Sequence, residues 1–347
     1  TAVGYYAGLS VSTGVQNTLI GGLAGDALTT GSYNVVVGHE ALSTEDAHGN
    51  NVAIGNRALK TLNAGTAGLN TAVGDDAGTA VTTGIRNTLV GSEAGDALID
   101  ADDNVAVGAL SLSADTYGSK STAIGRGALK VQNFTTASDS HNTAVGYSAG
   151  ELVSTGIQNT FVGSLAGDAT TTASKNVAMG TNALSTNILG SNSTAVGTAA
   201  LFTQNPATAT DMHNTAVGFE AGKLISTGTR NTFVGGLAGD ATDDGLDNTA
   251  MGYGSLSANC GSYNTSIGIH TLSVCTGASN TCVGHAAGLA VTGGSNNQRD
   301  KTDFTALDLG LDFVKDLKPV TYKWDKRSKY GDKTADDYDL NAQSPDG

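Results

Sequence analysis

The chain has 347 residues, of which 48 are glycine and only 3 are proline, and its net charge is −14. Collagen is excluded because it needs glycine at every third position and abundant proline, and a flexible linker would not carry 39% hydrophobic residues. The negative charge argues against a nucleic-acid-binding role, because phosphates call for a basic surface, and no apolar run is long enough to predict a membrane-spanning helix.

A five-residue phrase, Asn-Thr-Ala-Val-Gly with variants, recurs through the first 294 residues. Its first residue is asparagine in fourteen copies: Asn17, Asn34, Asn51, Asn70, Asn87, Asn104, Asn142, Asn159, Asn176, Asn214, Asn231, Asn248, Asn264 and Asn280. Serine takes its place at Ser121 and Ser193. Most copies are 17 residues apart, and a longer period of 72 residues groups them in blocks of four. After a shared alanine, the first two copies of a block carry glycine and the last two carry leucine.

The phrase has the alternation of a β-strand, with Thr and Val on one face and Asn, Ala and Gly on the other. Glycine ends each short strand, where a positive φ costs little. The period is too short for paired-helix repeats and is not a heptad. We therefore predict an all-β fold, a parallel β-solenoid (a β-roll) with one coil of about 17 residues per copy. The repeated asparagines are expected to stack into an amide ladder.

A coil filled with Ala, Val and Gly encloses a small core, so burial in one narrow solenoid leaves little surplus over chain entropy. We therefore expect self-association to bury a second face. The coils resemble the heads of trimeric autotransporter adhesins and the shafts of many phage fibres, which also repeat an Asn/Ser-x-Ala-Val/Ile-Gly phrase. That resemblance implies an intertwined or side-by-side homotrimer.

Some residues at fixed phases of the coil are candidates for chemistry. Asp26, Asp96, Asp168 and Asp240 share one phase; we expect them to cap glycine turns, with cation binding as the alternative, and we commit to no metal site. His141 and His213 share a phase but have no second histidine nearby, which argues against a metal site. Cys260, Cys275 and Cys282 are expected to be free thiols, the first two as possible neighbours in adjacent coils. The glycine-rich phrases lack the Lys-Ser/Thr of a phosphate loop, so we expect no cofactor.

The composition changes near residue 295. The last 53 residues hold 20 charges, against 30 in the preceding 294, and they include the only tryptophan, Trp324. We therefore divide the chain into a repeat solenoid, 1–294, and a second domain, 295–347. In the second domain Phe304, Leu307, Leu311 and Val314 have helical spacing, and Pro319 ends that helix.

The string Leu317-Lys318-Pro319-Val320, followed by Tyr322 and Trp324, closely resembles the start of the C-terminal intramolecular chaperone of phage tailspikes, tail fibres and endosialidases. The resemblance implies the first part of an α+β chaperone domain that helps three chains find register and continues beyond Gly347. The residues expected in its core are Leu311, Leu317, Pro319, Tyr322 and Trp324.

Members of that family often cut themselves at a Ser-Asp-x-Arg-x-Lys motif, in which the lysine takes the proton of the serine nucleophile. Arg299 and Lys301 match the motif, whereas Asn296 and Asn297 stand at the serine and aspartate positions. An amide is not a source of an alkoxide, so we predict that the chain is not cleaved there and that it is not an enzyme.

The repeat and the tail together predict a structural and adhesive component of a phage tail fibre that contacts the host cell surface. Its expected partners are two further copies of itself, other phage tail proteins and a host receptor, either a glycan or an outer-membrane component. The expected location is the virion, after synthesis in the host cytoplasm. The longer spacings at 63–69, 133–141 and 205–213 are the expected contact loops. The alternatives are the head of a bacterial trimeric surface adhesin and a glycan-depolymerising tailspike.

Overall fold

The computed structural model describes residues 1–289 and residue 291. This part of the chain contains 21 short strands and no helix, and therefore no helix that could cross a membrane. The strands are β1 (Ala2–Val3), β2 (Thr18–Ile20), β3 (Val35–Val37), β4 (Val52–Ile54), β5 (Thr71–Val73), β6 (Thr88–Val90), β7 (Val105–Val107), β8 (Gly118–Ser119), β9 (Thr122–Ile124), β10 (Ser138–Asp139), β11 (Thr143–Val145), β12 (Thr160–Val162), β13 (Val177–Met179), β14 (Gly190–Ser191), β15 (Thr194–Val196), β16 (Thr210–Asp211), β17 (Thr215–Val217), β18 (Thr232–Val234), β19 (Thr249–Met251), β20 (Thr265–Ile267) and β21 (Thr281–Val283).

Seventeen of these strands form one parallel sheet, with one strand from each coil. Equivalent residues of neighbouring coils lie side by side, so that Ala144 of β11 pairs with Ala123 of β9 on one side and with Phe161 of β12 on the other. The remaining strands form two small parallel pairs, β8 with β10 and β14 with β16. The structure thus confirms the all-β parallel β-solenoid of about 17 coils.

We number the positions of a coil from the repeated asparagine, which is position 1. Positions 1, 3, 8 and 12 point inward: in the coil that begins at Asn159, these residues are Asn159, Phe161, Ala166 and Thr170, and all are fully buried. Positions 2 and 4 lie on the outer face of the sheet, where Thr160 remains partly exposed. Each coil therefore closes around a core only a few side chains wide.

The coil turns through residues with positive φ at positions 5, 7, 9 and 17. Gly163 at position 5 has a φ of 136°, while Gly167 and Lys175 are left-handed with φ values of 58° and 61°. A Cβ atom on Gly163 would lie 2.6 Å from the backbone carbon of Gly180 in the next coil. Glycine is required at position 5 both by its φ and by the close approach of the stacked backbones.

The blocks of four copies are a pattern of side-chain volume in the core. In the second coil of a block, position 3 is large and position 9 is glycine. A Cβ atom on Gly167 would lie 2.5 Å from Cε1 of Phe161, and one on Gly150 in the preceding coil would lie 2.8 Å from its Cδ2. In the third coil position 3 is Ala178, and Leu184 at position 9 is fully buried. The alternation of glycine and leucine at position 9 therefore accommodates the residue at position 3.

Position 12 completes this volume match. The second coils of the first two blocks pair leucine at position 3 with leucine at position 12, as in Leu89 and Leu98. In the later blocks phenylalanine at position 3 is accompanied by the smaller threonine at position 12, as in Phe161 and Thr170. The volume gained at one inward position is offset at the other, as close packing requires.

Candidate functional site

The repeated asparagines lie in one buried column along the solenoid, and none of the fourteen is more than 9% exposed. The backbone N–H of Asn159 donates to Oδ1 of Asn142 at 2.9 Å, and Nδ2 of Asn142 donates to the carbonyl oxygen of Gly156 at 2.8 Å. Direct amide-to-amide bonds occur at some steps only, such as Nδ2 of Asn264 to Oδ1 of Asn248 at 3.1 Å. Within the column, bonds between side chain and backbone occur at most steps, and they reinforce the register set by the parallel sheet.

Where serine replaces asparagine in this column, a glutamine eleven residues later fills the place of the missing amide. Nε2 of Gln132 donates to Oγ of Ser121 at 2.8 Å, and its Oε1 accepts from Nδ2 of Asn142 at 2.8 Å. Gln204 makes the same two contacts around Ser193 in the next block. Sequence reasoning missed this exchange, although the Ser-to-Gln spacing is identical in both blocks.

The first of these networks contains a fully buried carboxylate, Asp115. It accepts hydrogen bonds from the backbone N–H groups of Gly118 at 3.0 Å and Phe134 at 3.1 Å, and from Nε2 of Gln132 at 2.6 Å. Burial raises the pKa of Asp115. Asn187 occupies the equivalent place in the next block and accepts from the corresponding glycine N–H at 3.0 Å. The site therefore needs an acceptor rather than a charge.

The four aspartates singled out from the sequence occupy position 10 of the second coil in each block: Asp26, Asp96, Asp168 and Asp240. One carboxylate oxygen of each, Oδ1, is buried without a hydrogen-bond partner. Burial raises the pKa of Asp96 to about 6, with repulsion from Glu93 and Asp76 adding to the shift, and burial also raises the pKa of Asp168 and Asp240. Successive members are four coils apart, about 19 Å along the solenoid, so one chain does not bring them together.

The third coil carries a group that sequence reasoning did not single out. One possible ligand atom from each of Glu45, Asp46 and His48 lies within 4.8 Å of the other two. Glu45 is fully buried, and its Oε1 accepts from the backbone N–H of His48 at 2.9 Å while its Oε2 accepts from that of Ala64 at 3.2 Å. These bonds give Glu45 the same turn-capping role that Asp115 has in the second block.

The two histidines singled out from the sequence are on the surface. His141 and His213 are exposed and left-handed, with φ values of 50° and 52°. Neither belongs to a group of three possible metal ligands within the described part of the chain.

The three cysteines are buried and unpaired, in the last coils that the structure describes. Sγ of Cys260 donates to the carbonyl oxygen of Cys275 at 2.8 Å, and Nδ2 of Asn280 donates to Sγ of Cys275 at 3.4 Å. The hydrogen bond with the Cys260 thiol lowers the pKa of Cys275, despite the opposing effect of burial. Cys260 and Cys275 are therefore neighbours in adjacent coils.

The three longer coils each project a loop at the same coil position. The exposed tips are residues 65–67, 135–137 and 207–209, and a buried residue lies directly before each tip: Ala64, Phe134 and Pro206. In the second and third loops the returning chain forms β10 and β16, which pair with β8 and β14. The predicted contact loops are thus short, anchored projections on an otherwise regular solenoid.

The outer face of the large sheet carries an apolar column at position 4 of every coil. Its residues are Val3, Ile20, Val37, Ile54, Val73, Val90, Val107, Ile124, Val145, Val162, Met179, Val196, Val217, Val234, Met251, Ile267 and Val283. Their side chains are only partly covered; Ile124 is 38% exposed and Met251 is 43% exposed. A contiguous apolar surface of this kind is typical of an interaction face.

Several predictions concern residues outside the described part of the chain. They are the degenerate cleavage motif of Asn296, Asn297, Arg299 and Lys301, and the chaperone core of Leu311, Leu317, Pro319, Tyr322 and Trp324. No protein-family model, curated protein or solved structure matches this chain. The described residues form a parallel β-solenoid with an inner polar column and an outer apolar one.

Proposed function

We propose that this chain is a structural and adhesive component of a phage tail fibre, assembled as a homotrimer with the help of a C-terminal intramolecular chaperone. The observation that carries the proposal is the apolar column at position 4, which continues through all seventeen coils. A single rod leaves this column in water, whereas three rods around one axis bury it. Residues 295–347 supply the chaperone-like sequence, which favours a phage fibre over the head of a bacterial adhesin.

The size of the column is adequate for a stable assembly. Seventeen coils span about 80 Å, and a strip about 10 Å wide along them buries about 800 Å² per chain, which is the area of a standard protein interface. Because the column repeats with the coil spacing, a second copy of the same rod matches it along its full length. Self-association is thus the simplest way to cover this surface.

The loops at 65–67, 135–137 and 207–209 are the proposed contacts with the host surface. A stiff rod holds several copies of these loops at fixed separations, and a trimer triples their number. Individually weak contacts to a glycan or an outer-membrane component then add through a high effective concentration. The activity is therefore multivalent attachment rather than a chemical reaction.

Light scattering on the purified protein tests the assembly, with an expected mass of three times 34.6 kDa. Val145→Lys combined with Val162→Lys introduces charges into the column and is expected to give monomers. Thr135→Lys, at an exposed loop tip, is the matched control and is expected to remain trimeric. A monomeric wild-type protein would contradict the proposal.

A further inference from the structure

In the second and third blocks, position 12 connects the third and fourth coils across the core. In the second block this connection is the hydrogen bond from Nε2 of Gln132 to Oδ2 of Asp115, and the same contact recurs 72 residues later. In the last block Cys275 occupies position 12 of the fourth coil, and Cys260, at position 13 of the third coil and fifteen residues earlier in the chain, is the buried residue that contacts it. In the last block these two coils are thus joined by neighbouring thiols rather than by a bond from a side-chain amide.

The two thiols are held against each other and shielded from solvent. Cys260 is 2% exposed and Cys275 is fully buried. The Cys260 thiol donates to the backbone of Cys275, and the Asn280 amide donates to Sγ of Cys275. Cys282 is buried as well, but it lies at position 3 in β21, in the column of Ser266 and Ala250. Cys260 and Cys275 are therefore a pair separate from Cys282.

We propose that Cys260 and Cys275 form an oxidation site that closes to a disulfide between adjacent coils when hydrogen peroxide is the oxidant. The Cys275 thiolate attacks one peroxide oxygen, the O–O bond breaks, and hydroxide leaves, so that Cys275 becomes a sulfenic acid. The Cys260 sulfur then attacks the Cys275 sulfur, the S–O bond breaks, and the oxygen leaves as water with the proton of the Cys260 thiol. Two thiols and one peroxide thus yield one disulfide and two water molecules.

The environment favours Cys275 as the cysteine that reacts with peroxide. The interaction with the Cys260 thiol lowers the pKa of Cys275, the donation from the Asn280 amide to Sγ adds to this, and both favour the thiolate that attacks peroxide. The hydrogen bond with Cys275 and burial raise the pKa of Cys260, so its thiol stays protonated while Cys275 reacts with peroxide. Because the pair is buried, peroxide reaches it during local opening of these coils. Peroxide is small, so it reaches the buried thiols more easily than a larger oxidant such as a disulfide of a small thiol.

The disulfide would link two adjacent coils covalently near this end of the described solenoid. It joins residues fifteen apart in the chain, one coil to the next, and so removes conformational freedom from the unfolded coils. The described coils near residue 291 would then resist fraying more strongly in an oxidising medium than in a reducing one. This inference does not depend on the trimer or on the phage assignment.

The test uses the full chain, treated with hydrogen peroxide under native conditions and then denatured. The wild-type thiol count is expected to fall from three to one, with an intact mass lower by two hydrogens and no added oxygen. Cys282→Ser is the matched control, and its thiol count is expected to fall from two to none. Cys260→Ser is expected to lose no hydrogens by disulfide formation.

Peptide mapping of the oxidised wild-type protein assigns the bridge without relying on a variant that fails to fold. A Cys260–Cys275 linkage supports the proposal. A linkage that includes Cys282, a bridge between chains, or a wild-type protein that keeps three thiols or only gains oxygen overturns it. Thermal unfolding provides the second readout, with a higher midpoint expected for the oxidised wild type and for oxidised Cys282→Ser, but not for Cys260→Ser.

Discussion

Glycine at position 5 is fixed by the contact between stacked backbones as well as by its own φ. Gly163→Ala would force a Cβ atom against Gly180, at a φ of 136°. We expect a loss of at least about 3 kcal/mol in the free energy of unfolding. Gly65→Ala is the matched control, because Gly65 also has a positive φ, 69°, but no atom lies within 4 Å of its Cβ direction.

For Gly65→Ala we expect a cost of only about 1 kcal/mol, from the left-handed backbone alone. Chemical denaturation of the two variants, followed by circular dichroism, measures the difference. Equal losses would mean that the contact between coils does not contribute to the requirement for glycine.

Asp96 makes the solenoid sensitive to pH. Its pKa is about 6 in the folded chain, against an ordinary value of 3.8, so the fold favours the protonated form. The stability that this group contributes is fully present below about pH 4 and is lost as the pH rises through 6. Asp96→Asn is therefore expected to stabilise the protein at pH 7.5 by about 1 kcal/mol, a figure reduced by solvent screening of a half-exposed group, and to have no such effect at pH 4.

Asp103→Asn provides a control of opposite sign. The Arg86 guanidinium lowers the pKa of Asp103, so the ionised form is favoured by the fold, and its contribution is lost as the pH falls through the folded pKa. This variant is expected to destabilise the protein at pH 7.5. Thermal unfolding across pH 4–8 distinguishes the two profiles, and a stabilisation by Asp96→Asn that persists at pH 4 would argue against titration as the cause.

At the scale of one coil, the volume match between positions 3 and 12 predicts strong coupling. Phe161→Leu alone leaves a cavity and is expected to cost about 1 kcal/mol, while Thr170→Leu alone overfills the core and is expected to cost about 1–3 kcal/mol. The double variant reproduces the pair that Leu89 and Leu98 form in the preceding block. We expect its cost to be clearly below the sum of the single costs.

A double-mutant cycle with denaturant unfolding measures that coupling. If the two single losses simply add in the double variant, the side chains at positions 3 and 12 do not compensate each other's volume. Replacement of Thr170 by leucine also removes a buried hydroxyl that has no hydrogen-bond partner. This loss favours the folded state in the single and the double variant.

At the junction of two coils, Gln132 and Gln204 fill the space beside the serines of the asparagine column. We predict that loss of these two glutamines lowers the stability of the protein by different amounts. Gln132→Leu removes the side-chain donor to the buried Asp115 carboxylate, whereas Gln204→Leu removes the donor to the neutral Asn187 amide. We expect Gln132→Leu to lower the free energy of unfolding by about 3 kcal/mol and Gln204→Leu by about 1–2 kcal/mol. A buried carboxylate that loses a hydrogen-bond donor is destabilised more than a neutral amide that loses one. Thermal unfolding of both variants checks this, and a reversed order would mean that Asp115 is neutral in the folded protein.

Much of the coil followed from the sequence because the spacing of the repeat forces equivalent residues into register. The asparagine column and the outward Thr and Val positions follow from strand alternation alone. The left-handed conformation of Leu184 does not, because leucine disfavours it; the backbone N–H of Leu184 holds it by donating to the carbonyl oxygen of Ala200 in the next coil at 3.0 Å. The raised pKa of Asp96 likewise depends on burial by neighbouring coils, which a linear pattern does not report.

At the scale of the whole molecule, the loops and the rod are separable. Replacing the exposed tips 65–67, 135–137 and 207–209 by Gly-Ser-Gly is expected to leave the unfolding midpoint nearly unchanged, because the anchoring Ala64 and Phe134 remain buried. Attachment of labelled protein to bacterial cells is expected to fall at least tenfold. Thr172→Gly, an exposed change outside the loops, is the control; undiminished attachment of the loop variant would place the contact elsewhere.

The integrity of the chain is a second whole-molecule prediction. Because Asn296 stands where the family's cleavage motif has serine, the purified protein is expected to retain its full mass of 34.6 kDa. Intact mass spectrometry after expression measures this directly. A species that ends near Gly294 or Ser295 would contradict the prediction.

The parallel register of the coils has a mechanical consequence. The hydrogen bonds between strands point along the axis of the solenoid, so a pull on its two ends loads them in series, and coils detach one after another from the end. A 17-residue coil releases roughly 50 Å of extended chain as it peels away. Stretched by its ends, the solenoid would dissipate work in a series of similar steps, one for each coil, so that it would absorb a mechanical load as well as bear one.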